Sequence, residues 1–287
     1  MSEVKHQVRS FYDQVGWQKV DGDLYQNARY EDLRPVSREY IHRCHLRVGR
    51  HLAPAGRYLL DAGSGPVQYP EYLTYSQGYD YRVCADISIV ALMEARKRVG
   101  SRGLYVVADV ANLPFAPGVF DGAVSLHTLH HLPLTEQSRA YGEVYRVLTG
   151  GRSAVIVNGW THSPWMDRWG GLVRLAETVG GWVARLRGKP APRNPKKQPA
   201  ATAPTGTFVN KLDAAWLREH VGAHMDIEIR VWRSVSVRWL RALMHTLTGG
   251  RLWLRLLFAL EERDPAWYGE NGQYPLVVVR KPAGSRS

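Results

Sequence analysis

The fold this sequence predicts is α/β, a doubly wound and mostly parallel sheet, and three observations predict it. Apolar segments recur that each end in an acidic residue. A glycine-rich turn follows the first of them. Strand-like and helix-like patterns then alternate along residues 55–160, which is the signature of parallel β-α-β units.

The first strand is Leu59-Leu60-Asp61, running into Ala62-Gly63-Ser64-Gly65-Pro66. Glycine is needed where a backbone bends sharply and must approach a ligand, because it has no Cβ to clash. Open α/β sheets bind ligands at the carboxyl ends of their strands, where such a turn sits. Pro70 suits the first turn of the helix that follows. The second strand, Tyr81 to Asp86, ends 25 residues after Asp61, and the third, Tyr105 to Asp109, another 23 on. Between them Ile89 to Val99 has helical spacing, with Lys97 and Arg98 in its last turn. A carboxylate at this distance from the glycine turn is placed to accept hydrogen bonds from ribose hydroxyls. A fourth strand spans Phe120 to Leu126, a helix runs through Arg146, and a fifth strand covers Ala154 to Asn158.

The ordered series Asp61-x-Gly63-x-Gly65, Asp86, Ala108-Asp109-Val110, Phe120-Asp121-Gly122-Ala123-Val124 and Arg146-Val147-Leu148-x-x-Gly151 resembles the class I S-adenosylmethionine-dependent methyltransferases. The resemblance is to the small-molecule type, similar to ubiquinone/menaquinone-biosynthesis methyltransferase-like domains. It implies a Rossmann-like, seven-stranded sheet with S-adenosyl-L-methionine as cofactor. It also implies that Gly63 and Gly65 lie at the methionine part and that Asp86 takes the ribose, with Asp61 and Ile87 as further cofactor-binding residues. Asp109 with Val110 would hold the adenine, and Leu126 with His127 would face the reacting methyl. The sequence departs from the family at Val67, where a third glycine is common. A dehydrogenase would want Gly-x-Gly-x-x-Gly, and position 68 is Gln.

With 287 residues and 45% hydrophobic content the chain can bury a sizeable core. The N-terminus lacks the apolar stretch of a signal peptide, and no apolar run is long enough to cross a bilayer. Cys44 and Cys84 form neither a disulfide framework nor a metal spacing, and Cys84 falls inside the second strand as a packing residue. A reducing cytoplasm is the expected compartment. The net charge of +12 favours anionic partners. From Thr178 through Leu212 there is no acid, while seven Lys and Arg residues occur. That segment reads either as a solvated loop or as a peripheral contact with an anionic membrane surface.

Four regions are expected: an N-terminal helical lid over residues 1–52, the cofactor core over 53–160, a helical and basic insertion over 161–210, and a C-terminal completion of the sheet over 211–287. By analogy with other small-molecule methyltransferases, Tyr12, Tyr25 and Tyr30 are lid residues facing the substrate; amphipathic packing is the competing role. Nine of the ten tryptophans lie at or after Trp160. Trp165, Trp169, Leu172, Ala176, Val179, Val183 and Leu186 define one helical face, with Gly180-Gly181 as a bend or break. Lys189 to Thr205 reads as a linker, Ile227 to Val235 as the sixth strand and Tyr274 to Arg280 as the last. This aromatic half points to a hydrophobic or amphiphilic acceptor, such as a quinone, lipid or aromatic metabolite.

His127, His130 and His131 follow the fourth strand, and His127 or His131 is the candidate general base. A nucleic-acid methyltransferase is the alternative suggested by charge. It is disfavoured because Ser125-Leu126-His127-Thr128 contains no base-holding Asn/Asp-Pro-Pro-aromatic motif. A non-catalytic cofactor- or partner-binding protein is the further alternative. The acceptor atom, the substrate and the oligomeric state lie beyond the sequence.

Overall fold

The computed structural model describes residues 3–17, 19–21, 24–25, 31–186 and 208–284. Helix α1 (Glu3–Phe11) continues into a π-turn at Tyr12–Gly16, followed by a short antiparallel pair, β1 (Lys19–Asp21) and β2 (Leu24–Tyr25). The described N-terminal residues thus combine helix with a short antiparallel pair. Helix α2 (Arg38–Leu46) follows.

Strands β3 (Gly56–Ala62), β4 (Tyr79–Asp86), β5 (Gly103–Val107), β6 (Gly122–Leu126) and β7 (Ser153–Val157) are parallel. They are joined through α3 (Pro70–Thr74), α4 (Ile89–Val99) and α5 (Leu134–Val147). After β7 come α6 (Pro164–Leu186), α7 (Ala214–Leu217), β8 (Asp226–Arg233), α8 (Val237–Leu243), α9 (Gly250–Arg263), α10 (Pro265–Asn271) and β9 (Tyr274–Arg280). The sheet order is β5-β4-β3-β6-β7-β9-β8, with β9 antiparallel to both neighbours. The seven-stranded, mostly parallel doubly wound sheet is thus present.

The strands read as continuous apolar runs because both faces are covered by helices. Their side chains alternate faces at a period of two. Leu60, Val83, Ala123 and Ile156 enter one core with Tyr141 and Val144 of α5. Leu59, Cys84, Val124 and Val155 enter the other with Tyr72 and Leu92. Burial of each Leu or Val contributes about 1.5–3 kcal/mol. Cys84 and Cys44 are buried free thiols, each pushed up to about 12 by desolvation. Helix α4 begins where the sequence placed it, because Ser88 Oγ accepts from the Ala91 N–H at 3.1 Å and caps it.

In the C-terminal half the break at Gly180-Gly181 is absent and the packed face of the helix differs from the expected one. Helix α6 runs unbroken through Gly180-Gly181. Its packed face is Trp165, Met166, Trp169 and Val173, set against Trp239 and Leu240 of α8 and Leu254 and Phe258 of α9. Leu172, Val179 and Leu186, expected on the packed face, are exposed, because the 165-169-173 stripe follows the strict four-residue step toward α8. Trp165, Trp169 and Trp239 build this third core. Trp160 is also buried, its indole N–H donating to Gly269 O at 2.7 Å. Much of the tryptophan excess is therefore core packing. Among the described residues no helix is long and apolar enough to cross a membrane.

Candidate active site

The carboxyl ends of the parallel strands and of β8 share one edge of the sheet, and the sequence candidates collect there. Gly63 and Gly65 both adopt positive φ, +74° and +52°. A Cβ on Gly63 would lie 2.1 Å from Thr128 Cγ2, so glycine is required there for space as well as for conformation. The Gly65 N–H donates to Asp86 Oδ2 at 2.9 Å, and the Ser88 N–H donates to Oδ1 at 2.8 Å. Glycine turn and second-strand acid thus form one unit, beside the half-buried Ile87. Burial pushes the Asp86 carboxyl up to about 6 despite these two backbone donors.

Val67, at the point of departure from the family, also sits at positive φ (+51°) and is fully buried. The turn keeps the left-handed backbone a glycine would adopt, and a β-branched residue bears the strain.

The described N-terminal residues cross the same edge. Lys5, 3% exposed, makes ion pairs with Asp109 and Glu136. Asp13 accepts from Ser88 Oγ. The Trp17 ring lies over Gly65, 3.0 Å from where a Cβ would stand, and stacks on Tyr12 at 4.9 Å between centroids. Tyr12 Oη and His131 Nε2 are 2.8 Å apart, and His131 Nδ1 is 2.7 Å from Phe208 O. A carbonyl only accepts, so Nδ1 carries the proton and Nε2 accepts from the Tyr12 hydroxyl. Burial holds the His131 imidazole below its usual value, against the opposing pull of the Phe208 carbonyl.

His127 follows Leu126 at the end of β6 with φ +55°. Its ring is packed edge-on to Trp232 at 4.9 Å and Tyr274 at 5.8 Å. Burial, reinforced by the nearby Arg233 cation, pushes it down to about 3. His130 faces Asn158 Oδ1 at 3.2 Å.

Not every candidate reaches this edge in the expected way. Asp61 Oδ2 accepts from Arg82 Nε at 3.0 Å and from Nη2 at 2.5 Å, both side chains being buried within the fold. Asp109 Oδ2 is engaged by Lys5, and Oδ1 accepts from the Ala111 N–H at 3.0 Å, next to the buried Val110. Tyr25 contributes backbone to β2, and its side chain lies outside the described residues, as do Tyr30 and the linker from Lys189 to Thr205. Sequence reasoning passed over Lys5, Trp17, Glu31 and Arg233. Only Trp17 carried a signal, as the one tryptophan before Trp160.

A turn of two left-handed glycines bound to a strand-end carboxylate offers backbone without a Cβ to one end of a nucleoside and carboxylate lone pairs to its ribose. This arrangement fits the S-adenosylmethionine implied by the sequence pattern. Residues 60–156 match a family described as "Methyltransferase domain". The chain carries a methyltransferase domain. Over 121 residues the chain is 32% identical to a malonyl-[acyl-carrier protein] O-methyltransferase of Legionella pneumophila, the match covering 42% of this chain and 40% of that protein. Among solved structures, geranyl diphosphate C-methyltransferase of Streptomyces coelicolor aligns over 98% of each chain at 14% identity, with a TM-score of 0.55. Phosphoethanolamine N-methyltransferase 2 of Haemonchus contortus aligns over 96% of this chain and 60% of that one at 17% identity, TM-score 0.51. At these identities the structural likenesses establish a shared fold.

Proposed function

We propose that this protein is an S-adenosylmethionine-dependent methyltransferase acting on a small, hydrophobic or amphiphilic acceptor. The observation that carries the reading is the Gly63–Gly65 turn joined to Asp86 at the edge where His127 and His131 also stand. When bound, the cofactor supplies a sulfonium methyl group for direct displacement. Gly63 and Gly65 would give it close backbone approach, Asp86 would accept from its ribose hydroxyls beside Ile87, and Val110 would flank its base.

Tyr12 and Trp17 cover this edge and exclude water, which holds the acceptor in line and supplies much of the rate. An acceptor that must lose a proton gives it to Tyr12 Oη as the Tyr12 proton passes to His131 Nε2. The imidazolium so formed keeps Nδ1–H on the Phe208 carbonyl. His127, with its depressed basicity, acts by shape and packing instead. The aromatic surroundings, His127 with Trp232 and Tyr274, favour an apolar acceptor body.

The test is transfer of tritium-labelled methyl from S-adenosylmethionine to a panel of quinones, fatty acyl compounds and phenols. Transfer that vanishes in Gly65→Val supports the reading. Cofactor binding without transfer to any panel member would return the protein to the non-catalytic alternative.

A further inference from the structure

Beyond His127, at the end of β8, lies a buried charged cluster that the steps above do not use. Arg233 is 2% exposed, Glu31 7% and His45 1%. Arg233 Nη1 donates to Glu31 Oε1, while its Nε has no hydrogen-bond partner among the described residues. The guanidinium lies 4.7 Å from the Tyr274 ring centroid and 5.1 Å from that of Trp232, the two rings that enclose His127. A guanidinium presents a planar fork suited to two parallel bonds with a carboxylate, and here that fork is only partly used.

The backbone at Glu31 is fixed. Its carbonyl accepts from Arg241 Nη2 at 2.8 Å, and Asp32 is held by Arg34 Nε at 2.7 Å and Ser37 Oγ at 2.6 Å. The Glu31 Oε1 that meets Arg233 also accepts from the Asp32 N–H at 3.2 Å, so a competing carboxylate has to replace Glu31 at the guanidinium while the backbone stays in place. His45 Nε2 lies 3.9 Å from Glu31 Oε2, and His45 Nδ1 lies 3.4 Å from Glu71 Oε2. Burial opposes charge on His45, but these two carboxylates raise its pKa above the usual value. The cluster thus sets Arg233 and His45 against Glu31 and Glu71, and a further carboxylate competes with Glu31 for Arg233.

We propose that Arg233 is the specificity determinant for the acceptor, which carries a carboxylate that displaces the Glu31 side chain and takes up the guanidinium fork. This deepens the methyltransferase reading and rests on it. Trp232 and Tyr274, which pack on both the Arg233 guanidinium and the His127 ring, would then lie beside the acceptor's apolar body.

The test titrates octanoate, octyl phosphate and octanol into the full chain saturated with S-adenosylhomocysteine, comparing wild type, Glu31→Gln, Arg233→Gln and Arg233→Lys. Octanoate should bind Glu31→Gln about tenfold more tightly than wild type, since its competitor has lost its charge. Octanoate binding should disappear in Arg233→Gln and weaken in Arg233→Lys, with S-adenosylhomocysteine still bound and octanol unaffected. Equal octanoate affinity in wild type and Glu31→Gln, or none in either, overturns the proposal. Octyl phosphate binding more tightly than octanoate overturns the carboxylate assignment. Should Arg233→Gln fail to fold, the Glu31→Gln comparison and Arg233→Lys decide. Failure of the wild type to bind S-adenosylhomocysteine is a different result, and it counts against the methyltransferase reading itself.

Discussion

The Tyr12 hydroxyl donates to His131 Nε2 across 2.8 Å, linking α1's end to the turn after β6, 119 residues apart in the chain. The phenol is thereby oriented, and the imidazole is fixed in the tautomer that can take its proton. Replacing Tyr12 by Phe removes this donor and keeps the ring. For an acceptor that loses a proton, kcat should fall about a hundredfold, with His131→Ala giving a similar loss and the double variant little more. Steady-state kinetics of the three variants check this, and independent, multiplicative losses would separate the two residues.

Asp86 titrates about where cofactor binding can be followed directly. Its carboxyl is pushed up to about 6, chiefly by burial. Ribose hydroxyls donate to the charged form, so affinity should strengthen as pH rises through 6 and level off above it. Binding at pH 5 should be about tenfold weaker than at pH 7.5, because one pH unit below the pKa leaves about a tenth of the carboxyl ionised. Isothermal titration of wild type and Asp86→Asn across that range checks the sign, and the variant should be flat.

Asp61 and Arg82 form a buried ion pair across β3 and β4. Asp61→Asn leaves Arg82 charged and only partly compensated, at a cost of about 3–5 kcal/mol. Urea unfolding should report that loss. A full-length Asp61→Asn that keeps wild-type stability would mean the pair is not structural.

Much of this was legible in the sequence, and the exceptions share a physical cause. Strand ends, the glycine turn and α4 follow from local patterns, because apolar runs, caps and glycines act within a few residues. The role of Asp61 was not local: its partner Arg82 stands on a neighbouring strand, and only sheet order brings them together. The same holds for α6, whose packed face is chosen by α8 and by the third core rather than by its own periodicity. His127 and Val67 adopt positive φ, which is uncommon for a non-glycine residue and is set by the turns they occupy rather than by their own side chains. Arg233 and Glu31 are 202 residues apart, and neither belongs to any motif.

Val67 offers a test of stored strain. A non-glycine residue in this backbone region costs about 1–3 kcal/mol, while burial of a Val side chain contributes about 1.5–3 kcal/mol. The two nearly offset, so Val67→Gly should destabilise by about 1 kcal/mol. Val155→Gly, buried in β7 with no positive φ, should cost about 3 kcal/mol or more. Thermal unfolding of both variants gives the comparison, and equal losses would remove the strain argument.

The central claim is that the Gly63–Gly65 turn and Asp86 hold S-adenosylmethionine. Calorimetric titration of the purified chain with S-adenosylhomocysteine, beside Asp86→Ala, addresses it most directly. The account predicts micromolar, one-to-one binding that the Asp86→Ala variant loses while remaining folded. Undetectable binding to the wild type, or affinity unchanged in Asp86→Ala, would contradict it.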